Sequence, residues 1–163
     1  MPRLWSLLVL FVLVACLSTP ATAQDAPQGL LRFIPNVEDL PSGCQVRTLD
    51  DKAPPFLTSN PQASGDPSFI KNMVEMVFRG GVQSSNVEEA LMGAYQSTHE
   101  VGLLAYFFNN NEEAKKARNV AVGNEEAQEI LLKDASLVLI WRDGSTDTCF
   151  EAITNHVRTA MGL

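Results

Sequence analysis

Ala135-Ser-Leu-Val-Leu-Ile-Trp-Arg-Asp-Gly144, followed by Ser145-Thr-Asp-Thr-Cys-Phe-Glu-Ala-Ile-Thr-Asn-His-Val-Arg-Thr-Ala-Met161, is the stretch that decides the fold. Leu137 to Trp141 is an unbroken apolar run of strand length, which predicts a strand covered on more than one side. Asp143-Gly144 ends it, and Ser145 or Thr146 can accept the first free N–H groups of a helix. Along that helix Cys149, Phe150, Ile153, Val157, Ala160 and Met161 fall on one face. The unit is therefore a strand, a tight turn and a helix with a cysteine in its first turn.

Upstream segments are read by what they can pair with this unit. Glu129-Ile-Leu-Leu-Lys133 either ends a short helix begun at Gly123-Asn124 or pairs as a hairpin with Leu137 to Trp141 across Asp134-Ala135-Ser136, and the hairpin is preferred. Val101-Gly-Leu-Leu-Ala-Tyr-Phe-Phe108 is apolar and rich in aromatics, as an inner strand should be. Gly102 within it marks a bulge or the close approach of another backbone. Asn109-Asn-Asn111 ends that strand and caps a helix opening with Glu112-Glu113, whose Lys115, Lys116 and Arg118 complement the dipole. With only Ala114, Ala117, Ala121 and Val120 to bury, this helix is expected to lie shallowly on the surface. Residues 87–97 admit a helix, through Asn86 and Glu89 as a capping arrangement, or a hairpin strand; Gly93, Tyr95 and the break Ser97-Thr-His-Glu100 favour the hairpin.

Asp66 and Pro67 open a firm helix on which Phe69, Ile70, Met73, Val74, Val77 and Phe78 repeat at helical spacing, stopped by Gly80-Gly81. Residues 50–66, with Pro54, Pro55, Pro61 and Gly65, read as an irregular loop. Leu30 to Pro35 reads as a short edge strand or an extended arm, and Gln45 to Leu49 as a brief strand. The order helix, strand, strand, helix, strand, strand, helix predicts an α+β fold. Its small antiparallel sheet would have about four strands, with helices packed mainly on one face. In domain terms, residues 1–23 are a signal peptide, 24–66 an N-terminal arm and irregular loop attached to the domain, and 67–163 the core. The layout looks like that of small exported bacterial domains, with no motif specific enough to carry a function.

Met1-Pro-Arg-Leu-Trp-Ser and the apolar run Leu7 to Val14 make a secretory leader, too short for a membrane span. Ala21-Thr22-Ala23 before Gln24 suits ordinary signal peptidase cleavage. Leu13-Val14-Ala15-Cys16 also resembles a lipobox, which would leave Cys16 acylated at the N-terminus and residues 17–29 as a tether. Both readings place the domain outside the cytoplasm, periplasmic or secreted in one case and membrane-anchored in the other. Two cysteines then remain, Cys44 and Cys149, and in an oxidising compartment a lone pair implies one disulfide.

The formal net charge of −7, without a Lys/Arg cluster, argues against nucleic acid as a partner. It argues equally against anionic lipid, so a membrane enters only through Cys16. His99 and His156 are the only histidines, and neither H-E-x-x-H nor paired C-x-x-C spacing converges metal ligands. A nucleophile elbow and a phosphate loop are also missing from the sequence, so no catalytic residue, cofactor or metal is implied. Arg142 and Asp143, at the strand end beside Trp141, are candidate ligand contacts, although a local ion pair next to a core tryptophan explains them more simply. His156, on the border of the helix's apolar face, is a third candidate. The expected role is a non-catalytic binding or interaction module for a protein or small ligand. The alternatives are a small hydrolase-like enzyme, in which His156, Asp143 or Glu151 would converge in a concave pocket, and a structural lipoprotein anchored at Cys16.

Overall fold

A computed structural model describes residues 29–47, 62–64, 66–123, 127–144 and 147–163. At its centre two hairpins lie side by side. The first joins β3 (Val87–Gln96) to β4 (Glu100–Phe108), with a register shift between Val87 and Glu89. In the second, β5 (Glu129–Lys133) turns through Asp134 and Ala135 into β6 (Ser136–Arg142). Pairing of β4 with β6, from Val101↔Arg142 to Phe107↔Ser136, fuses the two. Two short strands, β1 (Gln45–Val46) and β2 (Gln62–Ser64), both pair with β3. Because β4 occupies the other side of β3, they sit end to end along its outer edge. The sheet is antiparallel throughout, in the order β1-β3-β4-β6-β5 with β2 also against β3.

Both faces are covered, as the unbroken apolar runs of β4 and β6 require. On one face α1 (Pro67–Phe78) and α2 (Asn111–Ala121) bury Ile70, Met73, Val74, Val77 and Phe78 against Ala90, Leu104, Tyr106, Phe108, Leu137 and Leu139. On the other, α3 (Thr148–Met161) buries Cys149, Phe150, Ile153, Val157 and Met161 against Leu103, Ala105, Leu131, Val138 and Ile140. Leu30 and Phe33 complete that second layer from a 3₁₀ helix spanning Gly29–Phe33. Two of the three α-helices thus share a face, and α3 takes the opposite one.

Local chemistry accounts for the helix ends. The Asp66 carboxylate accepts from Ser68 N and Pro67 needs no donor at the first position. Asn110 caps α2 by accepting from the backbone N–H of Glu112 and Glu113. Ala114, Ala117 and Ala121 are fully buried, so their small side chains bring α2 tightly onto the sheet instead of leaving it shallow, while Val120 points largely outward. Asp147, rather than Ser145 or Thr146, caps α3 by accepting from Phe150 N.

The disulfide joins Cys44 to Cys149 with Cα atoms 5.2 Å apart. It ties the turn after the 3₁₀ segments to the first turn of α3, in the core of the α3 face.

Several local expectations are revised. Leu30 to Phe33 is helical, so Leu30 and Phe33 point into the core, Leu31 stays exposed, and no edge strand forms. Gln62–Ser64, within the expected loop, adds a strand, and the rest of residues 48–61 lies outside the described residues. Arg79 takes the left-handed conformation that ends α1, with Gly80 following it at positive φ. Glu88 and Glu89 lie on β3 and cap nothing. The side chain of Asn86 donates to Glu113 in α2. Cys16 lies outside the described residues.

Candidate functional site

Gly102 faces Trp141 directly across the β4–β6 ladder, and Ala94 faces Gly102 across β3–β4. These small residues leave the space into which the Trp141 indole lies. A Cβ added to Gly102 would overlap the indole ring. The glycine therefore serves neither a bulge nor a backbone approach: it receives a flat side chain. One row deeper, Met92↔Leu104 and Leu104↔Leu139 are paired across three adjacent strands, placing three large apolar side chains abreast.

That row is the floor of a cleft of about 230 Å³ on the face covered by α1 and α2. Trp141 walls one side, Met76 and Val77 of α1 form the opposing lip, and Ala127 closes the approach to β5. Met76 is 56% exposed although apolar, which leaves it as an unburied rim. Two methionines and one indole give the lining a polarisable, adaptable character. Every described lining residue is uncharged, so these side chains offer desolvation and shape.

A second, more polar cleft of about 370 Å³ lies between Arg32, Phe107, the β5–β6 turn and the end of α3. Its cations already have partners. The Lys133 ammonium donates to Gly162 O at 3.2 Å, while the Arg32 guanidinium stacks on Phe33 and reaches the Ser136 hydroxyl at 3.4 Å. The cleft under Trp141 is the better formed site.

The residues singled out from sequence lie elsewhere. Arg142 stacks over the Phe150 ring at 4.6 Å and donates from Nε to Gly144 O. This is a cation–π contact across the strand–helix turn. Among the described residues Arg142 and Asp143 make no ion pair; the Asp143 backbone N–H donates to Glu100 O. Strand alternation puts Trp141 on the opposite face from Arg142. The tryptophan is half-buried at the cleft, not a core residue beside them. His156 donates to Arg32 O at 3.0 Å. From Phe150 to His156 α3 rises about 9 Å at 1.5 Å per residue, so His156 does not meet Arg142 or Asp143.

A polar cluster that sequence reasoning passed over joins the β3–β4 turn to the start of α3. The Ser97 hydroxyl donates to the Asp147 carboxylate, and His99 lies against Gly144. The Ser97 hydrogen bond is the main reason the Asp147 carboxyl is held below the usual carboxylate range, with the Phe150 and Cys149 amides and the His99 charge adding to it. Here serine bonds the carboxylate directly and the carboxylate caps a helix. A nucleophilic triad instead needs serine on histidine and histidine on acid. The cluster fixes α3 to the hairpin. Elsewhere burial pushes the Tyr95 and Tyr106 phenols up, and Tyr106 donates to Met73 O, pinning α1 to the sheet.

Among the described residues no group of His, Cys, Asp and Glu could hold a metal ion, and no helix is long and apolar enough to cross a membrane. Fold and site together define a disulfide-stapled, antiparallel α+β domain with an apolar cleft on its two-helix face. No protein-family model matches the chain, and no curated protein or solved structure matches it significantly.

Proposed function

We propose that this chain is an exported, non-catalytic binding module whose ligand places an apolar group in the cleft under Trp141. The observation that carries this reading is the cleft itself. A register-aligned apolar floor, an indole wall and an exposed methionine rim come together with no titratable group among the described lining residues. A cavity of about 150 Å³ already accepts benzene, so about 230 Å³ suits one aromatic ring or a branched chain of a few carbons. The ligand class is accordingly a small molecule or peptide side chain with one compact apolar end.

The test uses Trp141 as its own reporter. Once the leader bearing Trp5 is gone, Trp141 is the only tryptophan of the exported chain. Titration with small aromatic probes such as indole or p-cresol is expected to shift its emission and to perturb the methyl signals of Met76 and Met92 together. Ala127→Phe, which fills the mouth, should abolish both changes. Methyl shifts scattered over the surface, or none across the panel, would overturn the reading.

Export is supported by the apolar leader and by a disulfide suited to an oxidising compartment. Intact mass of the natively exported protein separates the two processing routes. A chain starting at Gln24 with both thiols oxidised is the expected result. An acylated start at Cys16 would replace the soluble module by an anchored one, and two alkylatable thiols would sink the Cys44–Cys149 bond in the exported protein.

A further inference from the structure

The two outer edges of the sheet are unlike. On one side the edge of β3 is covered by β1 and β2, of two and three residues. On the other, β5 presents five residues, Glu129-Ile-Leu-Leu-Lys133, and no described strand lies against its outer side. The two-residue turn Asp134–Ala135 makes Lys133 and Ser136 the closing pair of the hairpin. Hydrogen-bonded and non-hydrogen-bonded pairs alternate along an antiparallel ladder. Lys133, Leu131 and Glu129 therefore direct their backbone groups to β6, and Ile130 and Leu132 direct theirs outward.

We infer that β5 pairs antiparallel with β5 of a second copy of this chain about a two-fold axis through Leu131. The segment is self-complementary in that register. Ile130 meets Leu132 of the other copy and Leu132 meets Ile130, two pairs whose outward backbone groups form four hydrogen bonds. Leu131 meets itself. Glu129 meets Lys133 on both sides of the axis, so each end of the seam closes with opposite charges at cross-strand distance.

The side chains are placed to allow it. Ile130 and Leu132 lie partly buried on the α1–α2 face, and their continuation into the partner extends that apolar layer. Glu129 and Lys133 lie on the α3 face, where Arg158 holds Glu129 through Oε2 and Lys133 donates to Gly162 O. Charged ends are also how edge strands resist pairing, and a like-charged pair in this register would do so. Opposite signs at symmetric positions do the reverse: they select the copy that pairs Glu129 with Lys133 over any unmatched strand.

Sedimentation velocity on the oxidised exported protein, from low micromolar to millimolar, tests the seam. A monomer–dimer equilibrium is expected. Lys133→Glu places two carboxylates opposite each other at each end and should weaken the dimer roughly tenfold. Glu129→Lys combined with Lys133→Glu restores opposite charges and should restore association. If Lys133→Glu fails to fold, Glu129→Lys alone sets lysine against lysine and should give the same weakening. A monomer at every concentration overturns the inference, as does a dimer indifferent to these changes.

Discussion

Cys149→Ser is expected to lower unfolding stability by roughly 2 to 5 kcal/mol, read as a fall in the urea midpoint, with the slope rising as the unfolded chain loses its crosslink. The bond closes a sequence separation of 105 residues. For a loop of that size the chain-entropy account gives about 4.7 kcal/mol. Domains of this kind have only about 5 to 15 kcal/mol in total, so the crosslink is a large share. Cys149 is also fully buried, and a serine hydroxyl there would lack the sulfur's apolar character. Reducing the unaltered protein, and replacing both cysteines by alanine, separate the crosslink from the buried hydroxyl. An unchanged midpoint in both would show the bond to be dispensable.

The second large effect is at Gly102. Gly102→Ala puts a methyl group where the Trp141 indole lies, and the neighbour is a rigid bicyclic ring between strands. Overpacking of this kind costs about 1 to 3 kcal/mol and occasionally more. The indole has one direction in which to retreat, out of the cleft towards solvent. Expected together are a lower midpoint, a red-shifted Trp141 emission and loss of the probe response. Adding Trp141→Leu should recover most of the lost stability, because the two residues act as one contact. Wild-type stability and emission in Gly102→Ala would disprove this packing.

Much of the framework is legible in the sequence because its signals are local. The caps Asp66 and Asn110 mark helix starts. The runs Val101 to Phe108 and Leu137 to Trp141 are long enough to be strands and too apolar to face water. Two cysteines beyond residue 23 leave one pairing, and the bond joins them. The placement of α3 was less legible, although the same runs imply two covered faces; nothing local states which helix goes to which face. Leu30 to Phe33 is too short to show a period, so its 3₁₀ turn reads equally well as a strand. At the start of α3, Ser145, Thr146 and Asp147 are all competent caps, and only the Ser97 hydroxyl on the β3–β4 turn favours the third.

The cleft was invisible for a different reason. Met76, Met92, Leu104, Leu139 and Trp141 come from four elements, and each by itself reads as ordinary core. What makes them a site is the register that sets Gly102 opposite Trp141 and Leu104 opposite Leu139. A glycine inside an apolar strand was the one visible trace, and its partner lies 39 residues later, beyond reach of a local pattern. Arg142, Asp143 and His156 drew attention as charges near an apolar stretch, yet Arg142 is held by the turn, His156 by the 3₁₀ segment, and Asp143 is placed through its backbone bond to Glu100.

The position of the disulfide along the chain also sets an order of events. Synthesis runs from the N-terminus, so Cys44 emerges with its thiol unmatched and stays so until α3 arrives. During that interval the two hairpins and α1 can already dock, since their pairings need nothing from α3. A product truncated before Cys149 would keep a reactive thiol and an uncovered sheet face. Both are features that oxidative folding catalysts and holding chaperones bind, so the arrival of α3 retires the thiol and the open face in one step.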